Sequence, residues 1–155
     1  FEDAYQAAFQ NHVLALLGLE PGSGTDRGEV VSTFLSWMRE SQAPWAQVFF
    51  DWFGGEASAK RAAASPIRER YEEPAFAPVR EALTSCQPVR PERLESPYFQ
   101  RQEPARLLID DVEAVWATIA EDDDWTGFDR ILADIELART ALDLPAPAVG
   151  GDLAP

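Results

Sequence analysis

The chain has 155 residues, enough for one domain with a hydrophobic core and too few for two of ordinary size. Hydrophobic residues make up 46% of it, including five Trp and nine Phe, which excludes disorder as the default. Acidic residues outnumber lysine and arginine by 27 to 13, a formal charge of −14, and this argues against binding to nucleic acids or anionic membranes because their phosphates require concentrated positive charge.

A single cysteine, Cys86, precludes an internal disulfide, and one histidine beside one cysteine gives no zinc-ligand set. No apolar run approaches the roughly 20 residues needed to span a bilayer, and no signal-peptide pattern opens the chain. We therefore expect a cytoplasmic protein. Since the sequence begins at Phe1 inside an apparent helix, we also expect a segment of a longer protein.

The N-terminal third predicts three helices. The first covers about residues 2–17, where apolar side chains recur at helical spacing, and it ends at the glycine-containing turn 18–24. Asp26 and Glu29 have the form of a capping box for the second helix. Pro44 suits the first turn of the third, an aromatic-rich helix that two glycines terminate.

The middle of the chain predicts shorter elements. Residues 56–64 have high helix propensity but little to bury. Ser65 and Pro66 supply an N-cap and a first-turn proline for a short helix, and another helix is predicted over about 78–85. Because several prolines interrupt residues 86–104, that segment is predicted to be an extended, ordered connector.

The C-terminal part predicts two amphipathic helices. Pro104 suits the first turn of one helix, and an acidic run, 121–124, follows it. Its apolar stripe is Ile109, Val112, Trp116 and Ile119. Asp124 is a plausible N-cap for a second helix starting at Trp125. A short turn between two such helices favours an antiparallel hairpin.

These elements together predict an all-α fold, a bundle of about six to seven helices with a Pro-rich connector and a C-terminal helical hairpin. A single helical domain is predicted over residues 1–142. The tail 143–155 lacks an apolar period and is predicted to be disordered.

For two candidate sites, a structural role of the residues is better supported than a functional one. Asp122, Asp124 and Gly127 occupy positions 1, 3 and 6 of a calcium loop, but position 12 is Ala133 where a bidentate Glu is required, so helix capping is favoured. His12 has no evident Asp, Ser or Cys partner and lies on the apolar side of its helix. A packed or partly exposed structural histidine is therefore favoured.

Three further features also favour structural roles. Nothing near Cys86 would lower its thiol pKa, so a helix-end residue is favoured over a reactive thiol. The aromatic stripe at 45–53 is typical of a core, although a ligand or docking face stays open. Adjacent acidic pairs such as Asp110 and Asp111 point to different sides of a helix. The sequence thus predicts no catalytic, cofactor-binding or metal-binding residue.

Several segments resemble a known family. They are a Tyr-containing first helix ending in Leu-Leu-Gly-Leu, Phe-Phe-Asp-Trp-Phe-Gly-Gly at 49–55, Ala-Ser-Pro-Ile-Arg at 64–68 with a following Ala-Phe, Ser-Pro-Tyr-Phe at 96–99, the helix segment 104–120, and Asp-Asp-Asp-Trp at 122–125. The first three resemble the C-terminal helical part of selenoprotein O (SelO) family proteins, and the others are similar to the end of its bacterial members. The resemblance covers roughly residues 5–140 and depends on packing residues and turns.

The resemblance implies a protein-kinase-like enzyme that transfers AMP from ATP to hydroxyl side chains of proteins, using Mg²⁺ or another divalent metal. The family's ATP-binding and metal-binding residues belong to an upstream kinase-like core and have no counterpart in this chain. The implied role of the chain is an accessory helical bundle that binds no cofactor itself and packs on that core. The cysteine- or selenocysteine-containing C terminus of some members is missing.

Two alternatives remain open. The chain can be a free-standing acidic module for protein–protein interaction, with another protein surface as its partner. It can also be a small enzyme, for which the sequence offers no active site. In an accessory part or an interaction module, the acidic surface would favour basic partners, a hypothesis drawn from net charge alone.

Overall fold

The computed structural model of the protein describes residues 2–145. Within them the fold is all-α, as predicted, with eight α-helices where six to seven were expected. The helices are α1 (Glu2–Leu16), α2 (Arg27–Ser41), α3 (Trp45–Asp51), α4 (Ala59–Ala63), α5 (Arg68–Glu72), α6 (Ala77–Thr84), α7 (Ile109–Asp122) and α8 (Thr126–Ala141). The 3₁₀ helices are Gly55–Ser58, Pro74–Phe76, Pro91–Glu95 and Pro97–Gln100.

The chain divides into two compact units between Pro104 and Ala105. The first contains α1 to α6 and a small sheet, and the second contains the α7–α8 hairpin. The prediction of one helical domain over 1–142 stays a prediction. The predicted disordered tail lies outside the described residues, except for 143–145.

Helix α2 lies at the centre of the first unit's core. The carboxylate of Asp26 accepts a hydrogen bond from the Glu29 N–H at 2.9 Å and so caps this helix, as the sequence predicts. Five α2 side chains are buried: Val30, Val31, Phe34, Trp37 and Met38. Because they recur at helical spacing, one face of α2 packs against both α1 and α6.

The apolar stripe of α1 is not the side that packs. Tyr5, Phe9 and Leu16 are exposed, and so is His12 beside them, while Val13 and Leu14 are buried. His12 shares a side of α1 with these apolar residues, as expected, but that side of the helix faces solvent. Helix α1 contacts α2 and β1, and it carries apolar residues on both faces.

A two-stranded antiparallel sheet joins the two ends of the first unit. Strand β1 (Leu19–Pro21) pairs with β2 (Cys86–Pro88), with Glu20 opposite Gln87. These strands were not predicted, because three residues are too short for a recognisable alternation. Cys86 therefore lies in a strand and not at a helix end, which corrects the sequence-based interpretation.

The Pro-rich connector is ordered, as predicted, but it is more structured than an extended chain. Pro91 and Pro97 each begin a 3₁₀ helix, where the missing N–H of proline costs no hydrogen bond. The Ser96 hydroxyl accepts a hydrogen bond from the Tyr98 N–H at 3.3 Å. Tyr98 and Phe99 are buried, so the connector contributes to packing instead of only crossing the surface.

Helix α7 begins at Ile109, and the prediction that Pro104 lies in its first turn is wrong. Leu108 has an extended backbone, with φ −86° and ψ 151°. A start at Ile109 puts Asp110 and Asp111 in the first turn, where negative charge interacts favourably with the helix dipole. A start at Pro104 would have moved both carboxylates into the second turn.

Candidate functional site

A buried polar network surrounds Asp51, the last residue of α3. Its side chain is fully buried. One carboxylate oxygen, Oδ2, accepts hydrogen bonds from the Ser65 hydroxyl at 2.6 Å and the Tyr71 hydroxyl at 2.7 Å. The other, Oδ1, accepts from Nε2 of Gln47 at 2.9 Å. Three donors on one carboxylate supply the partners that a buried acid requires.

Local structure brings these four side chains together. Gln47 and Asp51 lie one turn apart on α3, so both point to the same side of the helix. Ser65 lies in the turn before α5, and its hydroxyl also accepts the Ile67 N–H at 3.2 Å. Tyr71 is the buried residue of α5. The network therefore ties α3 to α5 and to the turn between α4 and α5.

Burial controls the proton affinity of this network. It raises the pKa of the Asp51 carboxyl above its ordinary value of 3.8, and the hydrogen bonds from Ser65, Tyr71 and Gln47 only partly offset that effect. Burial and the nearby Asp51 charge also raise the pKa of the Tyr71 hydroxyl. The tyrosine stays protonated at neutral pH and acts as a donor.

Arg61 lies beside this network and is held on several sides. Its Nε donates to the Phe50 carbonyl at 3.0 Å, and Nη2 donates to the Phe53 carbonyl at 2.7 Å and to the Ser58 hydroxyl at 2.9 Å. The guanidinium carbon lies 4.7 Å from the ring centre of Phe99, a cation–π contact. Burial lowers the pKa of Arg61 to about 10, so it remains charged at neutral pH.

The network has the chemistry of a structural brace. Ser65 is buried and hydrogen-bonded directly to a carboxylate, with no imidazole between them, so the general base that activates a serine nucleophile is missing from this cluster. Asp51 has no exposed surface through which a substrate would reach it. Its hydrogen bonds hold α3, α5 and the turn between α4 and α5 together.

Sequence analysis assigned none of these residues to a site. It named Ser65 only as an N-cap, and that prediction is wrong, because α5 begins at Arg68 and its N-cap is Ile67. One signal pointed to Asp51: it is a lone charged residue inside the aromatic run 49–53. A charge in such a run must either reach solvent or find buried donors. The donors at Ser65 and Tyr71 are separated from it by 14 and 20 residues, and their approach depends on tertiary structure.

The candidate calcium-loop residues have structural roles at the turn between α7 and α8. The carboxylate of Asp124 accepts the Thr126 N–H at 2.9 Å. The N-cap of α8 is Trp125, without a side-chain cap, so the prediction of Asp124 as the N-cap of a helix starting at Trp125 is wrong by one residue. Asp122 ends α7, and Gly127 lies in α8, where a Cβ would come within 3.1 Å of Val115. Within residues 2–145, no group of three His, Cys, Asp or Glu side chains is arranged to hold a metal ion.

Cys86 and the aromatic stripe of α3 belong to the packed interior, with one exception. Burial raises the pKa of the Cys86 thiol, which disfavours the reactive thiolate. Val48 and Trp52 are in the core, as predicted for the stripe, and Phe49 packs against it. Trp45 is 55% exposed, so only this end of the stripe is available to a partner.

Of the fifteen large apolar side chains that are exposed among the described residues, ten lie in the second unit. Gly127 of α8 lies against Val115 of α7. Ile119 and Ile131, one turn further along each helix, are half-buried like these two residues, so the four mark the contact between the helices. The exposed stripes lie about 100° further round each helix, which is one residue of helical rotation. They are Ile109, Val112 and Trp116 on α7, and Phe128, Leu132 and Ile135 on α8, each between 40% and 75% exposed.

Both stripes lie on the same side of the hairpin. The two helices run in opposite directions, so an equal rotation away from their shared contact brings both stripes to one side. We call these six residues the hairpin face. The unit around it, residues 105–145, has eleven acidic side chains against three basic ones. An apolar surface of this kind with a charged surround is typical of a docking site.

Among the described residues, no helix combines the length and apolarity needed to cross a membrane. Segments that resemble the SelO family contact one another in the first unit: Asp51 bonds Ser65, and Phe50 and Phe53 pack on Phe99. That resemblance remains a prediction. No family model, curated protein or solved structure matches this chain.

Proposed function

We propose that this chain is an accessory, non-catalytic helical part of a SelO-like protein adenylyltransferase. Its role is to dock through the hairpin face on a kinase-like core that carries the ATP and Mg²⁺ sites. The observation that carries this proposal is the hairpin face itself, six large apolar side chains exposed on one side of two helices. The SelO label comes from the sequence resemblance alone.

Energetics favour an occupied hairpin face. Covering apolar surface is worth about 25 cal/mol per Å², so a face of six such side chains is a costly surface to leave in water. The two helices bury almost nothing of their own, since Ala141 is the only fully buried residue in α7 or α8. A docked partner would supply the core that this hairpin lacks.

The buried Asp51 network supports the non-catalytic part of the proposal. The two hydroxyls and the amide all donate to the Asp51 carboxylate, and these hydrogen bonds hold helices in place. A network of this kind stabilises the packing of the first unit.

Nucleotide binding is the first test. Calorimetric titration of the purified chain with ATP and Mg²⁺ is expected to give no binding heat while the protein still melts cooperatively. Stoichiometric binding would overturn the proposal, since the nucleotide site would then lie in this chain.

Docking is the second test. A separately produced SelO-type kinase-like core is expected to co-sediment with this chain. Trp116→Ser or Phe128→Ser on the hairpin face should weaken the complex at least about tenfold, as expected for aromatic residues at the centre of an interface. Val89→Ser, which alters an apolar residue 52% exposed in the first unit, is the matched control. Unchanged binding by both face variants would rule out this surface.

The alternative is a free-standing acidic module whose hairpin face binds another protein. The exposed hairpin face is consistent with this alternative as well, whereas the resemblance to the SelO family favours the accessory role. A kinase-like core encoded in frame ahead of Phe1 would favour the accessory role. A start codon directly ahead of Phe1 would favour the free-standing module.

A further inference from the structure

A cleft of about 330 Å³ lies in the first unit, between α4 and the connector. Its ten lining residues include three cationic side chains, Lys60, Arg61 and Arg101, and no acidic one. The chain as a whole has the opposite balance, with 27 acidic residues against 13 basic. The cleft is therefore a local concentration of positive charge on a molecule that otherwise repels anions.

Arg61 is the fixed cation of this cleft. Three hydrogen bonds from Nε and Nη2 to Phe50, Phe53 and Ser58 hold the guanidinium in one orientation. The rings of Phe50 and Phe99 flank it, at 5.2 and 4.7 Å from the guanidinium carbon. An arginine ordered in this way loses little side-chain entropy when it binds a ligand.

The guanidinium keeps donor capacity for a ligand. Within the described residues, Nη1 of Arg61 has no hydrogen-bond partner, whereas Nε and Nη2 are both used. Burial lowers the pKa of Arg61 to about 10, and the nearby Asp51 charge partly offsets that effect, so the guanidinium is charged at neutral pH. The exposed Lys60 adds a second, mobile ammonium at the rim of the cleft.

The other lining groups suit a small polar anion. Gln100 and Gln102 line the cleft and offer neutral hydrogen-bonding groups beside the cations. Leu94 and Phe99 form an apolar wall. Three positive charges match a dianion better than a single carboxylate, and a phosphate monoester carries about −1.5 to −2 at neutral pH.

We infer that this cleft binds the phosphate group of a phosphomonoester, with Arg61 as the fixed donor and Lys60 and Arg101 as flanking cations. The ligand is either a small phosphorylated metabolite or a phosphorylated side chain of another protein. Both present the same dianion to the cleft. The inference does not involve the hairpin face and stands apart from the proposed docking role.

The test is titration of the ¹⁵N-labelled chain with inorganic phosphate and then with O-phosphoserine, in low-salt buffer. Saturable shifts are expected at the backbone amides of residues 57–61 and 100–102 and at the Arg61 Nε–H. Lys60→Gln should raise the dissociation constant for phosphate about tenfold, as the loss of one charged hydrogen bond predicts. Lys60→Arg, which keeps the charge, should bind within about twofold of the parent chain.

Arg68→Gln is the matched control, since it removes one exposed positive charge outside the cleft. It should leave the dissociation constant unchanged. Equal weakening by Arg68→Gln and Lys60→Gln would show net-charge attraction only and overturn the site, as would linear shifts without saturation. A phosphoserine peptide that binds at least about tenfold tighter than free phosphoserine would identify a protein ligand, and equal binding a small metabolite.

Discussion

At the scale of single residues, the buried carboxyl of Asp51 is the feature with the largest energetic consequence. Burying a charge is costly unless donors replace the water it loses. In this fold Gln47, Ser65 and Tyr71 provide those donors, and each of them is itself buried. Removing one donor while the acid stays should therefore cost more than the same change at the surface.

The first prediction concerns Tyr71→Phe, which removes the hydroxyl that donates to Asp51 at 2.7 Å. The free energy of unfolding should fall by about 1.5–3 kcal/mol, the usual range for a buried hydrogen bond to a charged group. Urea denaturation measures it. Tyr5→Phe is the control, because Tyr5 is 64% exposed, and it should change stability by less than about 0.5 kcal/mol. Equal effects of the two variants would contradict the structural role of the network.

The second prediction follows from the raised pKa of Asp51. A carboxyl whose folded-state pKa lies above its ordinary value of 3.8 holds its proton more tightly in the native state. Its contribution to stability is therefore present at low pH and decreases as pH rises through the folded-state pKa. In Asp51→Asn the side chain at position 51 does not titrate, so the stability of this variant lacks that dependence on pH.

Unfolding free energies of the parent chain and Asp51→Asn, measured from pH 4 to pH 8, test the sign. The parent is expected to lose stability relative to the variant as pH increases. A parent that gains relative stability with increasing pH would mean that the three hydrogen bonds outweigh burial and that the pKa of Asp51 is lowered by folding.

The sequence placed Asp51 in an aromatic run but did not identify its partners. Periodicity within α3 is enough to pair Gln47 with Asp51, which are four residues apart. Ser65 and Tyr71 reach the same carboxylate only because α5 folds back toward α3. Contacts of that kind depend on tertiary packing, and a single sequence carries no direct signal for them.

At the scale of elements, the turn after α1 depends on close backbone packing. Gly18 has a φ of +64°, and a Cβ there would lie 2.6 Å from Cζ of Phe53. The Gly18 carbonyl also accepts the Val89 N–H at 3.0 Å, next to the β1–β2 sheet. Both the left-handed backbone and the missing side chain are therefore required at this position.

The third prediction compares Gly18→Ala with Gly24→Ala. Gly24 also has a left-handed backbone, with φ +82°, but a Cβ there meets nothing within 4 Å. Gly24→Ala should cost about 1–2 kcal/mol from backbone strain alone. Gly18→Ala should cost about 1–3 kcal/mol more, because Phe53 must move. Urea denaturation measures both unfolding free energies. Similar values for the two variants would show that the Phe53 ring moves aside without loss of stability.

The elements that sequence reasoning found are those with local signals. Asp26 caps α2 as predicted, because a cap needs only an acidic side chain and a nearby N–H. Asp124 accepts the N–H of the first residue of α8, but it is not the N-cap of that helix. The start of α7 was misplaced to Pro104, since a proline permits a helix start without requiring one. The strands were missed because their hydrogen bonds join residues about 70 positions apart.

At the scale of the whole molecule, the all-α fold was predictable because helical periodicity extends over most of the chain. The burial of each helix was not predictable. The stripe of α1 and the hairpin face have the same helical spacing as the core face of α2, yet both are exposed. Spacing shows that a helix has an apolar side, and only the packing of other elements decides whether that side is covered.

The fourth prediction concerns the uneven distribution of stability between the two units. Helix α2 has five buried side chains, α7 has none, and α8 has Ala141 alone. Regions with few buried apolar contacts open locally at a lower free energy than the core. In the isolated chain, backbone amides of α7 and α8 should therefore exchange with solvent at least about tenfold faster than those of α2, a difference of roughly 1.4 kcal/mol.

Native-state hydrogen exchange measures this difference residue by residue. Asp124→Ala, which removes the acceptor of the Thr126 N–H at the start of α8, should speed exchange in the hairpin and leave α2 unchanged, because α2 opens independently of it. Asp26→Ala removes the cap of α2 and is the matched control, with its effect confined to the first unit. Equal protection of α2 and α7 in the parent chain would mean that the hairpin is stabilised as strongly as the core. The case for a partner that completes the hairpin face would then fail on energetic grounds.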